Sequence, residues 1–288
     1  MNNFLKEFFY FADKYIKKNF PETILNIIDI DKVNDFKYEE NQSPLHNNVT
    51  YLNRKLLDTI NNNSSLLEIG CGTNSIFIES KKNIFSRIDG LDIHEKDFRG
   101  RNTLANIVGS VSKIPTRSNF YDFCVSNQSI EHWFEYNVSL SLGLSEIARV
   151  LKKNKGKMII NFPLFLHGKK EFLQGNIEYI LKEISKYFFI KEIQFVHSGS
   201  RKYQGWRLCG QSSYRIKKYI LSKGIKFTPE SIICEVIAVN ISEAIQGKQS
   251  KVLPIFRFFN IYKEYTPLEL IIKILKKINL KKYKKNRP

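Results

Sequence analysis

Leu66-Leu67-Glu68-Ile69-Gly70-Cys71-Gly72-Thr73-Asn74 is the stretch on which the fold turns. A short apolar run with one carboxylate ends in two glycines spaced two apart. This pattern predicts a buried strand feeding a tight turn. Without a Cβ, Gly70 and Gly72 can take positive φ and let a ligand approach the backbone. A helix starting after the turn would aim free N–H groups at that ligand. The hydride-transfer fingerprint G-x-G-x-x-G would need glycine at position 75, where the chain has Ser75.

Downstream, Arg87-Ile88-Asp89-Gly90-Leu91-Asp92 predicts a second strand ending in a carboxylate. Asp92 lies 22 residues past Gly70, near the ~20-residue offset at which an acid meets a ribose in doubly wound folds. Further strands are expected at Asn106–Gly109, Phe123–Asn127 and Lys157–Pro163, with a helix over Leu144–Leu151. A helix over about 175–187 and strands near 189–196 and 232–241 complete the series. Alternation of strand and helix demands parallel strands with right-handed crossovers. Ligands of such sheets bind beyond the carboxyl ends of the strands.

The Glu68-Ile69-Gly70-Cys71-Gly72 stretch and the segments that follow it, through Pro163, resemble the class I S-adenosylmethionine-dependent methyltransferases, in their small-molecule (type 11-like) branch. The resemblance covers about a third of the chain and departs at Asn74, where the motif carries a third glycine. Asparagine tolerates left-handed geometry better than most residues. The family implies an α/β fold with a doubly wound, mostly parallel seven-stranded sheet and S-adenosylmethionine as cofactor. On that resemblance Glu68 orders the loop and meets the methionine amino end, while Gly70, Cys71 and Gly72 give backbone approach. Asp92 and Ile93 fall at the ribose, Ser110 and Val111 at the adenine, and Asn127 and Gln128 beside the donor methyl. Ser110 departs from the aspartate of many relatives, so the adenine contact there loses a charge.

Glu131-His132 matches a dipeptide frequent in the branch. Two roles stay open for it: His132 as base for an acceptor hydroxyl, or the pair as a brace for the loop. His167 is the alternative base; His94 is expected to border the adenine or solvent. The loop Ser126-Asn127-Gln128-Ser129 lacks the Asn/Asp-Pro-Pro-aromatic clamp that grips an amino group on a nucleobase or glutamine. The expected reaction is therefore O-methylation of a small molecule or of a saccharide or lipid-linked glycan precursor. RNA methylation and a non-catalytic cofactor-binding subunit are the alternatives. Tyr203, Trp206 and Tyr214, within an insertion at 197–230, are as suited to stacking on a sugar as to a core.

Around this domain, placed at 61–242, the chain is expected to carry an N-terminal helical cap over 1–60 and a basic tail over 243–288. Phe4, Leu5, Phe8, Phe9, Ala12 and Ile16 recur at helical spacing, and residues 1–30 read as helical. No run of ~18 apolar residues suggests a spanning helix. The charged start argues against a signal peptide, and four scattered cysteines show no metal-binding spacing. A cytoplasmic, metal-free protein is the expectation.

The formal net charge is +18, and residues 245–288 hold 10 Lys and 2 Arg against 2 Glu. Thr266-Pro267-Leu268-Glu269 has the form of a capping box with proline at the first helical position. Behind it Leu268, Ile271, Ile272, Leu275 and Ile278 share one helical face, with lysines mostly on the other. A basic amphipathic helix over 266–285 suits an anionic membrane surface. Packing on its own domain is the competing use, and nucleic acid ranks behind both.

Overall fold

The computed structural model describes residues 3–37, 44–59, 63–80, 85–97, 99–164, 168–173, 175–197 and 232–241. His167, the aromatic residues of the insertion and the basic tail lie outside these residues.

Helix α1 (Asn3–Asn19) precedes strand β1 (Ile24–Asp29) and helix α2 (Pro44–Thr59). Then follow β2 (Ser65–Ile69), α3 (Ile76–Ser80), β3 (Arg87–Asp92), β4 (Ile107–Val108) and β5 (Phe123–Asn127). A 3-10 helix at Ile130–Tyr136 leads to α4 (Leu140–Val150) and β6 (Lys157–Pro163). The last elements are α5 (Lys170–Leu173), α6 (Ile177–Ser185), β7 (Phe188–His197) and β8 (Ile233–Asn240).

The strands form one sheet in the order β1-β7-β8-β6-β5-β2-β3-β4. Strand β8 is antiparallel to both neighbours and the other pairs are parallel. The chain runs outward from β2 to β4 and then returns to place β5 against β2. This reversal opens a crevice at the carboxyl ends of β2 and β5, where such sheets hold ligands.

All seven expected strands are present, and an eighth, β1, is added to them. The expected helix over residues 1–30 thus ends at Asn19, and the 1–60 segment is not a purely helical cap. Pro21 cannot continue a helix. Beyond it Ile24-Leu25-Asn26-Ile27-Ile28 is rich in β-branched side chains, and β7 offers a free edge. Ile24 to Asp29 pair in register with Glu192 to His197, and Asn26 Nδ2 donates to Glu192 Oε1 at 2.7 Å.

Alternate strand residues face two layers. On one face Leu67, Cys124, Ile160, Phe195 and Val236 pack against α1, α4 and α6 in a single cluster. Phe8 and Phe9 of α1 meet Phe195 at 5.5 and 5.7 Å between ring centres. The other face carries two smaller clusters, one with Phe77 of α3 over Leu66, Val125 and Ile159. The second sets Leu52 of α2 on Val196 and Ile233.

Candidate cofactor and methyl-transfer site

The turn after β2 is left-handed twice, with φ of 69° at Gly70 and 57° at Gly72. Asn74 does not take positive φ, so the missing third glycine costs the turn no left-handed residue. The two glycines face different surroundings. A Cβ on Gly70 would stand 2.4 Å from Ser129 Oγ, whereas one on Gly72 would meet nothing within 4 Å. Gly70 lets the β5 loop pack on the turn, and Gly72 leaves space at the mouth of the crevice.

Backbone bonds weld this turn to β3. The Gly70 and Cys71 N–H groups donate to Leu91 O at 2.8 and 3.3 Å, and Gly72 N–H donates to Asp92 Oδ2 at 3.0 Å. Gly109 N–H donates to Asp92 O at 2.8 Å, bringing the end of β4 alongside. Glycine turn, Asp92 and the 109–111 loop therefore line one sheet edge, as the strand order requires.

Cys71 is a packing residue. It is buried with its Sγ close over Gly90, and burial pushes its thiol up to about 12. Ser110 Oγ lies 2.8 Å from Ser112 Oγ and accepts the Ser112 N–H at 3.2 Å, so that hydroxyl first serves its own turn. Val111 is buried and Ile93 half-buried.

Glu68 is buried at 3% exposure. The Ser75 hydroxyl donates to its Oε2, and Asn127 Nδ2 reaches its Oε1 at 3.5 Å. Burial pushes the carboxyl up to about 7, against both hydrogen bonds. Ser75 also accepts the Phe77 and Ile78 N–H groups at 3.2 and 3.0 Å. Those two N–H groups are thus taken, contrary to the expectation that this helix start serves a ligand. The substitution that breaks the hydride-transfer fingerprint supplies the cap.

Across the crevice, Asn127 closes β5 and Gln128 follows in a left-handed conformation, φ 50°. Asn161 of β6 holds this turn through bonds to both residues. Gln128 Oε1 is buried with no hydrogen-bond partner among the described residues. In the 3-10 helix beyond, Glu131 is fully buried and a Cβ on Gly168 would touch it at 2.9 Å. His132 Nδ1 lies 2.8 Å from Glu135 Oε1, and Nε2 lies 3.9 Å from Glu131 Oε1. Its ring is 28% exposed. A histidine flanked by carboxylates and reached by solvent has the surroundings of a base.

Exposed His94 meets Tyr136 edge to face at 5.7 Å. Burial and the charges of Glu135 and Asp92 raise the Tyr136 phenol. Sequence reasoning passed over Tyr136, Ser75, Asn161 and Glu235. For the last two a signal existed: a polar residue midway along an otherwise apolar strand.

Residues 67–160 match the family model described as methyltransferase domain. Comparison with curated proteins returns no match. Among solved structures, the chain is similar to the 4+2 cyclase SpnF at 14% identity and TM-score 0.50, over 72% of this chain and 86% of that one. It is also similar to a TehB-like S-adenosylmethionine-dependent methyltransferase of Corynebacterium glutamicum, at 14% identity and TM-score 0.40, covering 65% and 86%. Phosphoethanolamine N-methyltransferase 2 of Haemonchus contortus gives 18% identity and TM-score 0.41, covering 68% and 52%. At these identities the first likeness speaks to the fold alone.

Proposed function

We propose that the chain, whose residues 67–160 match a methyltransferase domain, uses S-adenosylmethionine to methylate a hydroxyl of a small molecule or of a saccharide or lipid-linked glycan precursor. The observation that carries this reading is His132, held between Glu131 and Glu135 just past the β5 turn.

The site's residues fit the cofactor on two counts. Gln128 Oε1 is a buried acceptor awaiting a donor, and Gly72 leaves open the volume that a Cβ would fill. Asp92 would hold the ribose, Ser110 and Val111 the adenine end, and Glu68 and Gln128 the methionine end. When bound, the cofactor supplies an activated methyl group. The protein's tasks are then to align the acceptor and to manage one proton.

Glu135 accepts from Nδ1 of His132, which leaves Nε2 as the basic nitrogen. From there His132 takes the proton of the acceptor hydroxyl, and the flanking carboxylates stabilise the imidazolium that forms. The absence of an Asn/Asp-Pro-Pro-aromatic loop at Ser126–Ser129 favours a hydroxyl over a nucleobase amine.

The test is calorimetry with S-adenosylmethionine followed by labelled methyl transfer to sugar nucleotides, glycolipids and bulk RNA. We expect binding, and turnover on the saccharide arm. Turnover on RNA alone would replace the acceptor class, and binding without any turnover would favour a non-catalytic subunit.

A further inference from the structure

A row of polar side chains crosses the sheet on the face turned away from α1. Asn127, Asn161, Glu235 and Gln194 are register partners on β5, β6, β8 and β7, so all four point the same way. Asn161, Glu235 and Gln194 are no more than 4% exposed. The row separates the apolar cluster under α3 from the one under α2. At its β2 end Asn127 reaches Glu68.

Asn161 is the hub. Its Oδ1 accepts the Gln128 backbone N–H at 3.3 Å and Gln128 Nε2 at 2.9 Å. Its Nδ2 donates to Asn127 Oδ1 at 2.6 Å, and its register partner on β8 is Glu235, whose ionised carboxyl the Asn161 amide favours. An amide offers two donors and two lone pairs; Gln128 takes both lone pairs and Asn127 one donor, which leaves one N–H for the neighbouring Glu235. Turning the amide over would set its NH2 against the Gln128 N–H and its oxygen against Asn127 Oδ1 and Glu235, so Glu235 reinforces the orientation that the Gln128 backbone requires.

That orientation matters because of Gln128. A side-chain-bearing residue at φ 50° keeps this conformation only where its surroundings over-determine it. We infer that Glu235 is a positioning residue of the methyl-transfer site, acting through Asn161 to hold the left-handed Gln128 turn at the crevice. This rests on the methyltransferase reading of that edge.

Protonation would complete the far side of Glu235. Glu235 Oε2 has no partner among the described residues, and neither has Oε1 of its register neighbour Gln194. Both atoms are acceptors while the carboxyl is ionised; protonation turns one into a donor for the other. Burial pushes the carboxyl up to about 8; Asn161 opposes the shift, Glu192 of β7 adds to it and Lys55 of α2 opposes it. Neutral Glu235 thus accepts through one oxygen and donates through the other. A glutamine amide presents the same pattern.

The experiment is titration of S-adenosylhomocysteine into wild type, Glu235→Gln, Glu235→Leu and Asn161→Leu at pH 7 and pH 9, with circular dichroism to follow folding. Both leucine variants should bind about tenfold more weakly or worse, and Glu235→Gln should stay within about threefold of wild type at pH 7. Between pH 7 and pH 9 wild type should lose more affinity than Glu235→Gln, since Glu68 titrates in both.

No binding by wild type would overturn the cofactor reading and this inference together. Wild-type binding with equal affinity in every variant would overturn the role of Glu235 alone, as would equal loss in Glu235→Gln and Glu235→Leu. If the leucine variants do not fold, identical pH profiles for wild type and Glu235→Gln would overturn it.

Discussion

The Asp92 carboxylate accepts the Gly72 N–H at 3.0 Å, tying the end of β3 to the turn after β2. Its other oxygen accepts the His94 N–H at a longer 3.3 Å. A carboxylate has about four acceptor sites, so capacity remains for ribose hydroxyls. We expect Asp92→Ala to weaken S-adenosylmethionine binding more than any single histidine substitution. It removes two charge-assisted hydrogen bonds worth ~1.5–3 kcal/mol each. An unchanged dissociation constant by calorimetry would remove Asp92 from the ribose site.

His132→Ala should lower turnover by ~10²–10⁴ and leave cofactor affinity nearly intact. Rate and binding must be measured on the same variant. Lost affinity with a normal rate per bound enzyme would make the Glu131-His132 pair a brace, and would turn attention to His167.

The two glycines of the turn should separate stability from binding. Alanine at either pays ~1–2 kcal/mol for left-handed backbone. Only Gly70→Ala also drives a Cβ into Ser129. We expect Gly70→Ala to depress the melting temperature clearly more than Gly72→Ala, and Gly72→Ala to cost chiefly cofactor affinity. Equal melting shifts would contradict the packing of Ser129 on Gly70.

Two buried carboxyls set the alkaline limb of stability. Glu68 and Glu235 have folded values of about 7 and about 8, against 4.5 as the ordinary value. The folded state therefore holds protons that the unfolded state has released. Their contribution is complete below about 4.5 and is lost as pH rises through 8. Melting temperature should fall between pH 5 and pH 9, and Glu235→Gln should flatten that fall. A parallel pH profile for the variant would mean that Glu235 does not titrate there.

The basic tail carries a separate proposal, that residues 266–285 hold the enzyme near a lipid-borne acceptor. Lysines near an anionic surface contribute ~1 kcal/mol each. The full chain should pellet with anionic vesicles at low salt and less at physiological salt. A chain ending at Ser242 should stay in solution. Equal pelleting would end the membrane role.

Much of the domain could be read from residues alone, because period and punctuation carry it. Phe123–Asn127 and Lys157–Pro163 are short apolar runs between turn residues, and both strands stand where their residues placed them. The glycine turn and the offset to Asp92 likewise follow from local chemistry. Strand β1 did not: Ile24 to Asp29 is consistent with helix or strand, and only the open edge of β7 selects the strand. Ser75 looked like a defect in a glycine pattern, yet it caps α3 and binds Glu68.

The residues themselves thus determined the strand-turn-helix unit and the acid on the second strand, since each depends on neighbours a few positions apart. Tertiary structure alone decided that Asn127, Asn161, Glu235 and Gln194 stand in one buried row. These residues lie up to 108 positions apart in the chain, and register sets which side chains meet across a sheet. A polar residue within an apolar strand announces a partner, but the partner's identity is a property of the assembled sheet.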